Sequence, residues 1–389
     1  MARCTHVSPQ TDGKQAGLDS STAAWDLPYG HNGHSGAPWP QDETPVTEPH
    51  APLSAAPRSP SGSPEPPAPG DLLASLWDPD REGSDHRSTA PLLNALLAGV
   101  FAASRTVALY PEDDDLPERV ARDFQIALQD LPSAPPTRLD REPLQAPRDS
   151  GSTPGLTLVP LEWRHGRARP RDAGPVGSVF GIWRPNHQGP LRTALTAAGV
   201  AVYGSHTGLL LALGARAHLL RMDPATGRFL LARRDIRVPE RQNRFAFKAE
   251  ECRLWSPSAV AFGAANFVDS TLPYGVPPDI RRIRCLSAEA YRIVQEGGLY
   301  LRPHPVDEPA GGGHRLLAEA APVAWIMEAA GGRACDGSSE LLDQPLPPAD
   351  RGSGLVFGSA NLLAAFQASR NRYAEDEAPL FGRRGLFLP

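Results

Sequence analysis

Ser205 and His206 set a hydroxyl beside an imidazole, the pair that nucleophilic catalysis needs. As neighbours on a strand they would point to opposite faces, and a triad cannot be assigned from the sequence. Cys4, Cys252, Cys285 and Cys335 form no C-x-x-C pair, and their spacing suits neither a zinc site nor a disulfide framework. Unpaired cysteines of this kind fit a reducing compartment. His31, His34 and His50 sit in a polar stretch where an imidazole is ordinarily just solvated. Gly311-Gly312-Gly313 lacks the strand-to-helix context of a phosphate cradle and reads as a loop.

The elements that must position any such chemistry begin late. The chain has 389 residues and a formal charge of -5, which argues for neither a nucleic acid nor an anionic membrane as partner. Its 43 prolines and 36 glycines exceed what a wholly globular chain carries. Residues 1–70 hold many Pro, Ser, Gly and His and few aliphatics to offset ordering entropy, so that segment reads as a disordered leader. No signal-peptide run opens the chain, and no stretch reads as long and apolar enough to span a bilayer, so a cytoplasmic protein is expected. Leu72, Leu73, Leu76 and Trp77 have helical spacing. A second helix is expected over 90–101, capped by Ser88 or Thr89 with Pro91 in its first turn, and a third over 116–131. Strands are expected at 156–159, 176–183, 199–203, 208–213, 217–222, 228–232 and 355–358, and helices at 287–296, 316–330 and 360–370. This mixture predicts a layered α/β fold.

Several blocks, in order, resemble class I fructose-1,6-bisphosphatases. They are Leu92-Leu93-Asn94-Ala95-Leu96, Val176-Gly177-Ser178-Val179-Phe180-Gly181-Ile182-Trp183-Arg184 and Tyr203-Gly204-Ser205-His206-Thr207. Ile236-Arg237-Val238-Pro239-Glu240 and Phe245-Ala246-Phe247-Lys248-Ala249 continue the series. Gly297-Gly298-Leu299-Tyr300-Leu301-Arg302-Pro303 and Arg315-Leu316-Leu317-Ala318-Glu319 through Gly331-Gly332 complete it. The resemblance runs over roughly residues 71–375. It implies an α/β/α/β/α fold in two halves, 71–235 with the metal end and 236–389 with the sugar-phosphate pocket. It also implies an oligomer, usually a tetramer, that hydrolyses the 1-phosphate of fructose 1,6-bisphosphate with Mg²⁺, in gluconeogenesis or the Calvin cycle.

That family's signature, Asp-Pro-Leu-Asp-Gly-Ser-Ser at a strand end, supplies two metal-bridging acids. Counting back from Val176 puts Glu162 at the first acid and His165 at the second. A neutral imidazole is a poor Mg²⁺ ligand, and Arg164, Arg167, Arg169 and Arg171 add repelling charge. By resemblance, Glu319 is a metal ligand, Glu142 is a ligand or else an ordinary solvated loop acid, and Asp123 matches the water-activating aspartate. Lys248 stands at a family Asn, Arg282 and Arg302 replace phosphate-contacting tyrosines, Arg281 matches an arginine reaching a neighbouring subunit, and Arg315 is retained. These cations would hold phosphate, or would pair with Glu250, Glu251 and Glu296. Asp336-Gly337-Ser338-Ser339 copies part of the signature in the wrong place and reads as a polar turn. Two functions stay open: a sugar-bisphosphate phosphatase, and a non-catalytic relative that binds a sugar phosphate or joins hetero-oligomers with an intact homologue.

Overall fold

In a computed structural model the described residues are 69–76, 85–131, 154–162, 175–240, 243–267, 278–282, 285–304 and 313–376. The leader reading, and the candidates Glu142 and His165, lie outside them apart from the last residues before 71.

Three helices come first: α1 (Pro69–Leu76), α2 (Asp85–Leu109) and α3 (Leu116–Leu128). On α3, Leu116, Val120, Phe124 and Leu128 recur every fourth residue and are all buried, the single stripe expected of a helix lying on a core. Helix α2 starts a turn earlier than its sequence signals suggest, so Pro91 falls inside it. The stretch Thr89–Leu109 is also long and apolar enough to cross a membrane, with a mean hydropathy of 1.6, contrary to the sequence expectation. Its Leu93, Leu96, Val100 and Ala103 are buried in the protein's own core.

An antiparallel meander follows. Strands β1 (Gly155–Val159), β2 (Val176–Trp183), β3 (Leu195–Tyr203), β4 (Gly208–Leu213), β5 (Arg216–Met222) and β6 (Phe229–Arg233) pair in chain order, with a short helix α4 (Leu191–Ala194) leading into β3. Every residue of β1, β2 and β4 is buried. A sheet covered on both faces has no polar side, so continuous apolar runs replace alternation. Phe180, Ala201, Leu209 and Leu211 face the α1–α3 layer, while Val179, Trp183, Val200 and Leu210 join the core on the other side. Gly199 makes room for the first set: a Cβ there would lie 2.0 Å from the Phe180 ring.

A second sheet has the order β11-β13-β9-β7-β8. Its members are β7 (Arg244–Phe247), β8 (Asp279–Arg282), β9 (Leu299–Arg302), β11 (Arg333–Cys335) and β13 (Leu355–Gly358). β7 runs parallel to both β8 and β9, and the remaining pairs are antiparallel. A two-residue ladder joins β10 (His314–Arg315) to β12 (Gly352–Ser353). Helices α6 (Leu286–Glu296) and α7 (Ala321–Ala329) touch both sheets. Helices α5 (Pro257–Phe267) and α8 (Ala360–Asp376) pack on each other, and α8 packs on β13 and β11. The result is an α/β/α/β/α layering, as the resemblance implies.

Candidate functional site

The chain turns out of β1 through Pro160 and Leu161 and delivers Glu162 to the start of α6. A helix start leaves backbone N–H groups without partners inside the helix. Here Glu162 Oε1 accepts from Leu286 N, and Oε2 accepts from Ser287 N and Ser287 Oγ, both at 2.8 Å. The Cys285 thiol also donates to Oε2, at 3.2 Å. The carboxylate therefore caps α6 from 124 residues away in sequence. Gly177 makes the approach possible, because a Cβ there would meet Ser287 Cβ at 2.5 Å. Burial, and then the nearby charge of Glu319, push the Glu162 carboxyl above its ordinary range, against the pull of its hydrogen bonds. The Cys285 thiol is pushed far up by the same burial.

Glu319 belongs to the single π-helical turn Leu316–Ala320 that precedes α7. It is buried, its Oε2 accepts from Arg315 N at 2.8 Å, and it lies 3.6 Å from His314 Nδ1. The other nitrogen of that imidazole, Nε2, is 2.7 Å from the Tyr300 hydroxyl. Asp350 completes the cluster: its Oδ1 accepts from Leu317 N and Arg351 N, and its Oδ2 is buried without a hydrogen bond. Burial raises the Asp350 carboxyl, with Glu319 adding to it and Arg315 opposing it. Thus the charge of Glu319 reaches both Glu162 and Asp350, and the retained Arg315 acts on Asp350. Asp350 and His314 carry no motif and escape sequence reading. Among the described residues, no three His, Cys, Asp or Glu side chains converge closely enough to hold a metal ion.

Asp123 lies on α3, where its Oδ2 accepts from Thr106 Oγ1 of α2 at 2.6 Å and its charge reaches Tyr203. Tyr203 in turn is 2.7 Å from Ser178 Oγ. Ser205 and His206 occupy the β3–β4 turn rather than a strand, so alternation does not separate them, and Ser205 Oγ is 3.4 Å from His206 Nδ1. Both border a cavity of about 440 Å³ lined also by Ser104, Tyr203, Thr207 and Met222.

The candidate sugar-phosphate residues gather at the carboxyl ends of three parallel strands. Arg282 ends β8, Lys248 follows β7, and Arg302 ends β9. Ligands of open α/β sheets bind at such ends. The short 3₁₀ turn Ala249–Leu254 places two acids among these cations. Glu251 accepts from Lys248 Nζ at 3.1 Å and from Arg302 through two parallel bonds, Nε at 2.9 Å and Nη2 at 3.1 Å. Glu250 takes Arg282 at 3.1 Å, and Asp279 lies 3.5 Å from Arg281. Glu296 pairs instead with Arg244 and Arg292. Burial pushes the Glu251 carboxyl up, but Arg302 and Lys248 outweigh it and the net direction is down. The half-buried Cys252 beside it donates to the Lys248 carbonyl at 3.6 Å. Asp336 forms the polar turn that was expected, its Oδ1 accepting from Ser338 N, Ser338 Oγ and Ser339 N.

The fructose-1-6-bisphosphatase C-terminal domain family matches residues 238–371. A class 1 fructose-1,6-bisphosphatase of a Bradyrhizobium species is 30% identical over 368 residues, covering 90% of this chain and 99% of the relative. Another, from Methylibium petroleiphilum, is 36% identical over 228 residues, covering 54% of this chain and 63% of the relative, so that match spans less than two thirds of its length. Among solved structures, fructose-1,6-bisphosphatase of Leishmania major in holo form superposes with a TM-score of 0.66 at 22% identity, covering 79% of this chain and all of that one.

Proposed function

The chain belongs to the class 1 fructose-1,6-bisphosphatase family, and on that premise we propose that it is a fructose-1,6-bisphosphatase-like protein that has lost hydrolysis of the 1-phosphate. The observation that carries this reading is the use of Glu162. Phosphoryl transfer in this chemistry depends on cations that neutralise the phosphoryl oxygens and activate water. A ligand to such a cation must turn its oxygens toward it, yet Glu162 turns both toward the N–H, O–H and S–H donors of residues 285–287. The residues present therefore do not fit a divalent ion shared by Glu162 and Glu319. Anchoring the family signature on the end of β1 strengthens the point. Pro160-Leu161-Glu162 then aligns with Pro-Leu-Asp, which replaces the count back from Val176: Glu162 takes the second acid rather than the first, His165 leaves the motif, and Val159, whose side chain has no donor atom, takes the place of the first acid.

The pocket reads the same way. Lys248, Arg281, Arg282 and Arg302 each have an internal carboxylate within 3.5 Å, which leaves no cation of the four uncommitted to the chain itself. A role in assembly fits better than turnover. Among the described residues strand β8 is the outer strand of its sheet, and all four of its residues are exposed, an edge suited to a second copy or to an intact homologue in the cytoplasm. One observation favours the alternative of residual activity: the buried Glu319 still lies within electrostatic reach of two other buried acids, Glu162 and Asp350. Phosphate release from fructose 1,6-bisphosphate with Mg²⁺ or Mn²⁺ tests the proposal. No release above a protein-free control is expected. Turnover that disappears in Glu162→Gln and Glu319→Gln variants would establish a working phosphatase instead.

A further inference from the structure

We propose that Glu251 is a built-in anion that fills a phosphate subsite made by Lys248 and Arg302, so that the pocket admits a phosphate monoester only when Glu251 is displaced. This rests on reading that pocket as the sugar-phosphate site. The geometry is that of a bound anion. Strands β7 and β9 are parallel neighbours with Phe247 opposite Leu301, which sets residues 248 and 302 side by side at the same end. An arginine guanidinium presents Nε and Nη2 as a fork matched to two oxygens of one carboxylate or phosphate. Both prongs go to Glu251, and the ammonium of Lys248 goes to the same carboxylate. The side chains of Lys248 and Arg302 are each 13% exposed, and that of Glu251 is 25% exposed. An incoming phosphate would therefore meet these two cations already bonded, with a negative charge in front of them. Glu250 acts alike toward Arg282, but that pair is exposed on both sides and screened by solvent. The turn carrying both acids is six residues long and none of its residues is fully buried, so apart from Cys252, which packs against the core, it has little packing to lose when it shifts.

The test is calorimetric titration of the full chain with inorganic phosphate at low ionic strength. The wild-type protein is expected to show no saturable binding in the low-millimolar range. Glu251→Ala, which removes the carboxylate and vacates its space, is expected to bind at least about tenfold more tightly, a gain of about 1.4 kcal/mol. Glu251→Gln, which keeps the shape, serves if the alanine variant does not fold, and a smaller gain in the same direction is expected of it. Adding Lys248→Met and Arg302→Met to either variant is expected to abolish the gain. Two results would overturn the proposal: a cooperatively folded Glu251 variant with no gain, or a gain that survives loss of both cations. Because phosphate binding is read without turnover, hydrolysis by the wild-type protein would sink the preceding reading and leave this one intact. A missing gain would do the reverse.

Discussion

Glu162 and Glu251 are both acids held by the chain itself, but by opposite kinds of partner. Glu162 is buried among neutral donors at a helix start, with another acid nearby and a carboxyl pushed up. Glu251 is partly exposed between two cations, and its carboxyl is pulled down. The first arrangement is a structural cap whose oxygens are committed to the start of α6, and undoing it should cost the fold. The second is an ion cluster near solvent, and undoing it should change what binds. An acid therefore says little about function until its donors are known.

The largest expected effect is at the first acid. Glu162→Ala leaves Leu286 N, Ser287 N and Ser287 Oγ without their acceptor, at roughly 1–3 kcal/mol for each buried donor. We expect a loss of about 3 kcal/mol or more, read as a melting temperature lower by roughly 5 °C. A variant that melts like the wild type would remove the distinction between the two acids.

Titration gives the next effect, and the two acids carry opposite signs. The raised carboxyl of Glu162 contributes stability that is full below the ordinary glutamate value near 4.5 and is lost as pH rises through its folded value. The lowered carboxyl of Glu251 contributes stability that is full above that value and is lost as pH falls through its folded one. Urea unfolding at several pH values should show the stability of the wild type relative to Glu162→Gln falling as pH rises. Relative to Glu251→Gln it should rise. Parallel curves would contradict the assignment.

Smaller still is Arg282→Ala. Its partner Glu250 is exposed, so the change should stay within about 0.5 kcal/mol in chemical denaturation. The smallest effect sharpens the comparison most. If Glu162 is a cap and not a ligand, millimolar Mg²⁺ and EDTA should both leave the melting temperature where it was, since an ion that binds the native state must stabilise it. A rise with Mg²⁺ would return Glu162 to the metal.

The layers were legible because periodicity is local. Val176–Trp183 and Leu355–Gly358 are strands with the limits read from the sequence, and Glu319 sits at the foot of α7 as the ordered blocks suggested. Helix α5 and the acidic 3₁₀ turn went unread, since short or uniformly apolar segments lack a clear period. Partner choice was not legible either. Arg302 finds Glu251 from 51 residues away and Glu162 finds Leu286 from 124, and only the sheet register and the entry of α6 bring them together. The arginine pattern alone fits phosphate binding and internal pairing equally, and among the nearby acids it is Asp279, not Glu296, that Arg281 meets.

Cys252 carries a practical consequence. Among the described cysteines it alone is half-buried, while Cys285 and Cys335 are enclosed. Of those three, a thiol-directed dye would therefore label Cys252 first, slowly at neutral pH because burial and the adjacent Glu250 and Glu251 raise its thiol. The position next to Glu251 turns it into a native optical reporter. Movement of the acidic turn would change its labelling rate, and the chain could be watched without engineering a new reactive handle.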